Sequence, residues 1–232
     1  PPSPLFPYPP LSRSAPPQAP AAAEAMATAA ATGTGATGSQ PAARPGRVEF
    51  RDVTFGYGGA AEPALKGVSF VAEPGTTTAI IGGTGSGKSS IINLITRFYD
   101  VAAGSVMLDG VDVREYRQAD LRARLGLATQ RPVLFSGTIA DNIRFGSASA
   151  TDSETEEAAS IAQASEFIEQ KEGGMQAPIA QGGTNVSGGQ KQRLSIARVL
   201  ARKPSVYLFD DSFSALDFRT DARLRAALRR HT

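Results

Sequence analysis

The sequence has no cysteine, which excludes disulfides, a cysteine-based zinc site and a thiol nucleophile. It has one histidine, His231, too little for histidine-rich metal chemistry. No apolar run approaches the ~18 residues that a membrane-spanning helix needs, and no signal-peptide apolar region opens the chain. Charge of one sign is also missing. The formal net charge is only +2, too small to imply nucleic acid as a partner. Aromatics are scarce in residues 1–46, which hold only Phe6 and Tyr8 beside eleven of the sixteen prolines and runs of alanine. Such a segment cannot bury enough apolar surface to offset its ordering entropy, so it is expected to be disordered. It reads as a linker, with an SH3-type ligand as the alternative. Residues 47–232 are enough for one domain.

What is present begins with Gly82-Gly83-Thr84-Gly85-Ser86-Gly87-Lys88-Ser89, which fits G-x-x-x-x-G-K-[ST] at every fixed position. An apolar run before it, Thr76 to Ile81, predicts a buried strand. The apolar run after it, Ser90 to Ile95, predicts a buried helix. Glycines let successive N–H groups turn inward around an anion, and the helix N-terminus adds partial positive charge. Lys88 supplies a cation for the β- and γ-phosphates of ATP, and Ser89 a hydroxyl for Mg²⁺. A second apolar run, Val206 to Phe209, ends in Asp210-Asp211. A buried parallel strand ending in a carboxylate suits a nucleotide site. Asp210 is expected to hold Mg²⁺ through water; capping of the next turn is the alternative.

The remaining pattern predicts an α/β chain. Val48/Phe50, Val53/Phe55/Tyr57 and Leu65 to Val71 alternate as strands, with a shift by one between Phe50 and Val53 that predicts a bulge. Ser105 to Leu108 before Asp109-Gly110 is a strand and turn, Gln118 to Arg124 a short helix, and Gly126 to Thr129 a strand leading to Gln130. Thr151-Asp152-Ser153-Glu154 fits a capping box that opens a helix through about Gln170, with Ile161, Ala164 and Ile168 inward. Arg219 to Arg230 reads as a basic, solvated helix with Leu224 and Leu228 on one face.

With these elements placed, residues 47–232 resemble the nucleotide-binding domain of an ABC transporter of the exporter type. Val186-Ser187-Gly188-Gly189-Gln190 is similar to the family's LSGGQ signature, with Val for Leu, and Lys191 to Arg198 continue it as the family does. Ser214-Ala215-Leu216-Asp217 resembles the D-loop, Gln130 the Q-loop glutamine, and Tyr57 the aromatic that stacks on adenine. Pro132 to Ile143 is similar to the exporter segment that receives the membrane domain. The resemblance implies a P-loop NTPase core with a parallel sheet, an antiparallel β subdomain before it, and a helical subdomain over about 133–187. It implies ATP and Mg²⁺ as cofactors. Nucleotide is held by Tyr57, the loop Gly82 to Ser89, and Ser90. Ser89, Gln130 and Asp210 serve the metal, and Asp211 and Gln130 the catalysis. The signature would hold the ATP of a second nucleotide-binding domain, and a transmembrane domain would fix the assembly at the cytoplasmic face of the cell membrane.

Three departures carry information. Asp211 stands where the family has Glu. Its carboxylate stops roughly 1.5 Å short, about one C–C bond, so weak hydrolysis is expected at this chain's own site. Gln181-Gly182-Gly183 stands where many exporters carry Glu-Arg-Gly. The switch histidine is not found, since His231 falls too early after the D-loop and reads as a polar residue near a helix end. The chain also begins at Pro1, and we read it as part of a larger protein whose C-terminal strands are truncated here. Together these point to the degenerate half of a heterodimer whose partner supplies the catalytic Glu. The other readings are a nucleotide-gated module that acts by dimerisation, a soluble ABC ATPase, and a fragment inert for hydrolysis.

Overall fold

The computed structural model describes residues 45–231. The disorder expected for residues 1–46 lies outside the described residues except for Pro45 and Gly46. Three sheets and seven α-helices are present among the described residues. The first sheet is antiparallel, in the order β2-β1-β3-β4. It comprises β1 (Val48–Phe55), β2 (Leu65–Ala72), β3 (Ala103–Leu108) and β4 (Val111–Asp112). The expected bulge is there: the β1–β2 register shifts between Phe50 and Val53, where Asp52 turns to φ +49°. This extra residue lets both Phe50 and Val53 face the core.

Helix α1 (Lys88–Ile95) follows the glycine loop and buries Ile91, Ile92, Leu94 and Ile95 against β1 and β3. Helix α2 (Gln118–Arg124) leads into β5 (Leu125–Ala128), which pairs in parallel with β8 (Val206–Phe209). This pair is the seam between two cores. Leu125 and Leu208 belong to the sheet-side core, while Ala128 lies in a helical core against which Tyr207 and Phe209 pack. The two-residue period of a strand sends alternate side chains to opposite cores.

The helical core is built by α3 (Ile139–Arg144), α4 (Asp152–Ile161), α5 (Ser165–Glu169), α6 (Gly188–Ala201) and α7 (Phe218–His231), beside the short ladder of β6 (Gly137–Thr138) and β7 (Pro178–Ile179). Helix α4 opens on the predicted capping box, with Thr151 Oγ1 accepting from Glu154 N and the Glu154 carboxylate accepting from Thr151 N. The single helix expected through Gln170 is broken. Gln163 takes φ +58°, and its carbonyl accepts from Arg193 Nη1 at 2.8 Å. Arg193 also lies over the Phe167 ring at 4.8 Å. These contacts with α6 outweigh continuation of the helix, and Ala164 and Ile168 still reach the core.

The buried strand expected at Thr76–Ile81 does not form. The segment is extended coil, and Ile81 is 86 % exposed. A strand exists through its neighbours, and among the described residues none pairs with this segment. Among the described residues the ladder of β8 runs to β5.

Core and surface apolar residues should therefore respond differently. Leu194→Ala, in the fully buried centre of α6, should lower stability by about 2–5 kcal/mol in urea titration. Ile81→Ser should change it by less than about 0.5 kcal/mol. Glu154 gives a pH signature. Hydrogen bonds from Lys203 and then Thr151 hold its carboxyl down at about 2. A depressed carboxyl contributes stability above its unfolded pKa and loses it as pH falls through the folded one. Stability should thus fall between about 4.3 and about 2, with one proton fewer in that slope for Glu154→Gln, read from urea midpoints across pH.

Candidate functional site

The glycine loop runs from the coil at Gly82 to the first residue of α1. Gly87 occupies the N-cap at φ +87°, where a Cβ would sit 2.7 Å from Leu65 Cδ2 and 2.9 Å from Ala64 O. A side chain there would clash with the end of the antiparallel sheet as well as strain the backbone. Lys88 folds back over the loop: its ammonium donates to Gly82 O at 2.8 Å and Gly83 O at 2.6 Å. The cation is thus held above the loop by two of its own carbonyls.

Residues far apart in sequence meet beside it. Ser89 Oγ donates to Asp210 Oδ1 at 3.0 Å, joining α1 to the end of β8. The two groups offer the oxygen donors that a hard divalent cation takes, so the residues fit Mg²⁺. Asp210 N donates to Ala128 O, which extends the β5–β8 pairing to the carboxylate itself. Next to it Asp211 adopts φ +47°, a left-handed conformation that Asp tolerates. Its Oδ2 accepts from Gln130 Nε2 at 3.1 Å, so the two predicted catalytic residues are in direct contact.

Tyr57 lies past the end of β1 and is 38 % exposed. Its hydroxyl shares a hydrogen bond with Ser90 Oγ at 3.0 Å. The predicted adenine contact and the phosphate-binding helix are therefore tied together, a link the spacing did not foretell.

Among the described residues, no hydrogen bond joins the Val186 to Gln190 segment to the Gly82 to Ser89 loop. Ser187 caps α6 in a reciprocal box: its Oγ accepts from Gln190 N, and Gln190 Oε1 accepts from Ser187 N. This S-x-x-Q pattern was legible as a capping box and was missed behind the glycines. Helix α6 then meets the Ser214 to Asp217 segment. Buried Gln192 accepts from Ala215 N at 3.1 Å, and a Cβ on Gly189 would lie 3.0 Å from Ala215 O. Asp217 in turn caps α7, accepting from Thr220 Oγ1 and Thr220 N. The Thr220 side chain, then its backbone N–H, hold the Asp217 carboxyl below the usual carboxylate range. Gln192 was not singled out from sequence; a buried amide has no pattern of its own.

The segment after Gln130 is pinned to the other end of α6. Arg198 Nε donates to Asn142 O, Nη1 to Val133 O and Nη2 to Asn142 Oδ1. Asn142 Oδ1 also accepts from Phe135 N. Burial pushes the Arg198 guanidinium below its usual value. The rings of Phe135 and Phe145 meet at 4.3 Å, tilted by 31°, with Arg198 over both. Phe145 and Val133 remain largely exposed, giving an apolar face beside Gln130.

Comparison with known proteins adds the lineage. A family model described as ABC transporter matches residues 65–214. This chain belongs to the ABC transporter family. The ABC chain is 52 % identical over 187 residues to an uncharacterized ABC transporter ATP-binding protein of Mycobacterium tuberculosis, covering 79 % of this chain and 32 % of that protein. It is 46 % identical over 184 residues to the ATP-dependent lipid A-core flippase of Xanthomonas oryzae pv. oryzae, covering 79 % of this chain and 31 % of that one. A solved structure of a bacterial Atm1-family ABC exporter with ATP bound superposes with a TM-score of 0.77 at 38 % identity, over 82 % of this chain and 33 % of that one. The α/β fold, with its antiparallel sheet and parallel pair, is thus that of an ABC exporter nucleotide-binding domain. The chain spans about a third of the length of the relatives it matches. No helix among the described residues is long and apolar enough to cross a membrane.

The Gln192 contact makes a local prediction. Gln192→Met keeps the volume but leaves Ala215 N–H without its acceptor. Ala215 is exposed, so the change should cost about 0.5–1.5 kcal/mol and speed amide exchange at Ala215 while the amides of β1 keep their protection.

Proposed function

We propose that this chain is the ATP-binding and ATP-hydrolysing domain of an ABC exporter, carried at the cytoplasmic face of the cell membrane by a transmembrane domain. ATP closes it onto a second nucleotide-binding domain, and closure powers transport. The observation that carries this reading is the contact between Ser89 and Asp210 beside Lys88. A phosphate loop, a cation and two oxygen ligands are assembled in one place, while the capped signature helix makes no hydrogen bond to that loop.

Each group has a role in this reading. The loop N–H groups and the N-terminus of α1 bind the triphosphate. Lys88 exchanges its carbonyl partners for phosphate oxygens. Ser89 and Asp210 hold Mg²⁺, with Gln130 at the edge of that shell. Mg²⁺, if bound there, would supply positive charge to neutralise the negative charge developing on the phosphates. Tyr57 stacks on adenine. Ser187 and the N-terminus of α6 address the γ-phosphate on the other domain, and the D-loop, held by Gln192, lies along that contact. The Phe135 and Phe145 face beside Gln130 receives the membrane domain, so a shift of Gln130 toward the nucleotide moves that face. Relatives named as a flippase and an exporter support this direction of coupling.

Asp211 sets the chemistry of the chain's own site. Its carboxylate reaches Gln130 but is one methylene shorter than Glu. A misplacement of about 1 Å costs about a hundredfold in rate, so this site binds ATP and turns it over slowly. The partner then carries the Glu and is the fast half of a heterodimer. Three substitutions test the reading in mixed dimers with a Glu-bearing domain. Asp211→Glu should raise hydrolysis at this chain's P-loop by at least about tenfold, and no rise would refute the reach argument. Ser187→Ala should cripple hydrolysis on the partner's P-loop more than Asp211→Ala does. Equal losses would indicate a symmetric homodimer.

A further inference from the structure

Stacking on adenine demands a ring held at one tilt, and three contacts fix the tilt of Tyr57. Its hydroxyl is tethered to Ser90 Oγ at 3.0 Å. The Phe55 ring meets it at 4.8 Å and 77°, and the Tyr99 ring at 5.2 Å and 87°. Ser90 and Phe55 are buried and have structural duties of their own in α1 and β1. Tyr99 is different. It is 47 % exposed and belongs to neither helix nor strand, and besides Tyr57 its ring meets Phe55, at 5.6 Å and 54°. The chain is nevertheless turned to bring it there. Arg97 takes φ +52°, and Phe98 N donates to Asn93 O at 2.9 Å, which folds the segment after α1 back toward the sheet.

We propose that Tyr99 is a positioning residue for the adenine base, acting through Tyr57. Near-perpendicular ring pairs are held by the electrostatics of edge against face. Ser90 lies in the first turn of α1 and Tyr99 just beyond its last, so one rigid helix fixes Tyr57 from both ends. The same helix begins at the phosphate loop. The spacing between base and phosphates is therefore set by α1 rather than by the flexible Gly58-Gly59 turn after Tyr57. Without Tyr99 the Tyr57 ring keeps its hydroxyl tether and Phe55 but can rock about the axis joining them. The base loses a fixed platform, while Lys88 and Ser89 keep their partners. This inference rests on the ATP reading of the site.

Calorimetry with two ligands separates it from a merely structural role: Mg·ATP, and Mg·tripolyphosphate, which has no base. The whole 232-residue chain is used, as wild type, Tyr99→Ala, Tyr99→Leu and Tyr99→Phe. The Ala and Leu variants should bind ATP roughly two- to tenfold more weakly, the equivalent of losing one aromatic pair. Tripolyphosphate affinity should stay at the wild-type value in both, which also reports an intact fold, and Tyr99→Phe should restore ATP binding. Unchanged ATP affinity in Tyr99→Leu overturns the proposal. So does an equal loss for both ligands, which would assign Tyr99 to the scaffold. If the wild-type chain bound no nucleotide, or ATP no better than tripolyphosphate, the adenine role of Tyr57 would fall first and this proposal with it.

Discussion

The burial of one helix, α6, fixes the Val186 to Gln190 segment, the Ser214 to Asp217 segment and the segment after Gln130 relative to one another. Its apolar face, Leu194, Ile196, Ala197, Val199 and Leu200, is sealed inside the helical core. That burial places four polar devices at set heights along a rod rising about 1.5 Å per residue. Ser187 and Gln190 cap the start and leave its N–H groups facing outward. Gln192 holds the D-loop. Arg193 takes the carbonyl of Gln163 and breaks the neighbouring helix there. Arg198 ties down the segment after Gln130 through Asn142 and Val133. A buried guanidinium is costly unless its donors are used, and Arg198 uses three of its nitrogens. The helix therefore links the surface expected to meet a second domain with the surface expected to meet the membrane domain.

The parallel β5–β8 pair does the corresponding work for the phosphate side. It lies between the two cores, and its ladder runs on into Asp210 N, so the carboxylate is set by backbone pairing. Ser89 reaches it from α1, whose own place is set by burial under the antiparallel sheet. The sheet-side core thus holds Ser89, and the ladder between the two cores holds Asp210. Small relative movements of those cores would be felt first at Ser89, Asp210 and Gln130, which is where ATP is expected to act.

Patterns with a fixed spacing were legible in the sequence. The glycine loop and the Thr151 capping box depend on neighbours within a few residues, while the Phe50/Val53 bulge and the Val206 to Phe209 strand showed in their local apolar pattern although their ladder partners lie far along the chain. What could not be read depended on partners far along the chain. Thr76 to Ile81 has the apolar run of a buried strand but no ladder partner among the described residues, so pattern alone overstated it. The break at Gln163 follows from Arg193, thirty residues away. The Tyr57–Ser90 hydrogen bond and the Gln192–Ala215 hydrogen bond join polar residues whose types have no periodic signature. The residues that meet beside the glycine loop, Lys88, Ser89 and Asp210, were readable because each belongs to a pattern of fixed spacing. The internal wiring of the site required coordinates.

On the proposed reading Lys88, now bonded to Gly82 O and Gly83 O, exchanges those carbonyls for the phosphates of ATP. Titrating Mg·ATP into the chain and into Lys88→Met by calorimetry tests it most directly. The account predicts one nucleotide bound per wild-type chain, and affinity reduced by at least about tenfold, or about 1.4 kcal/mol, in the variant. Equal affinity in the two proteins would contradict it, because the loop would then hold nucleotide without the cation on which the whole arrangement turns.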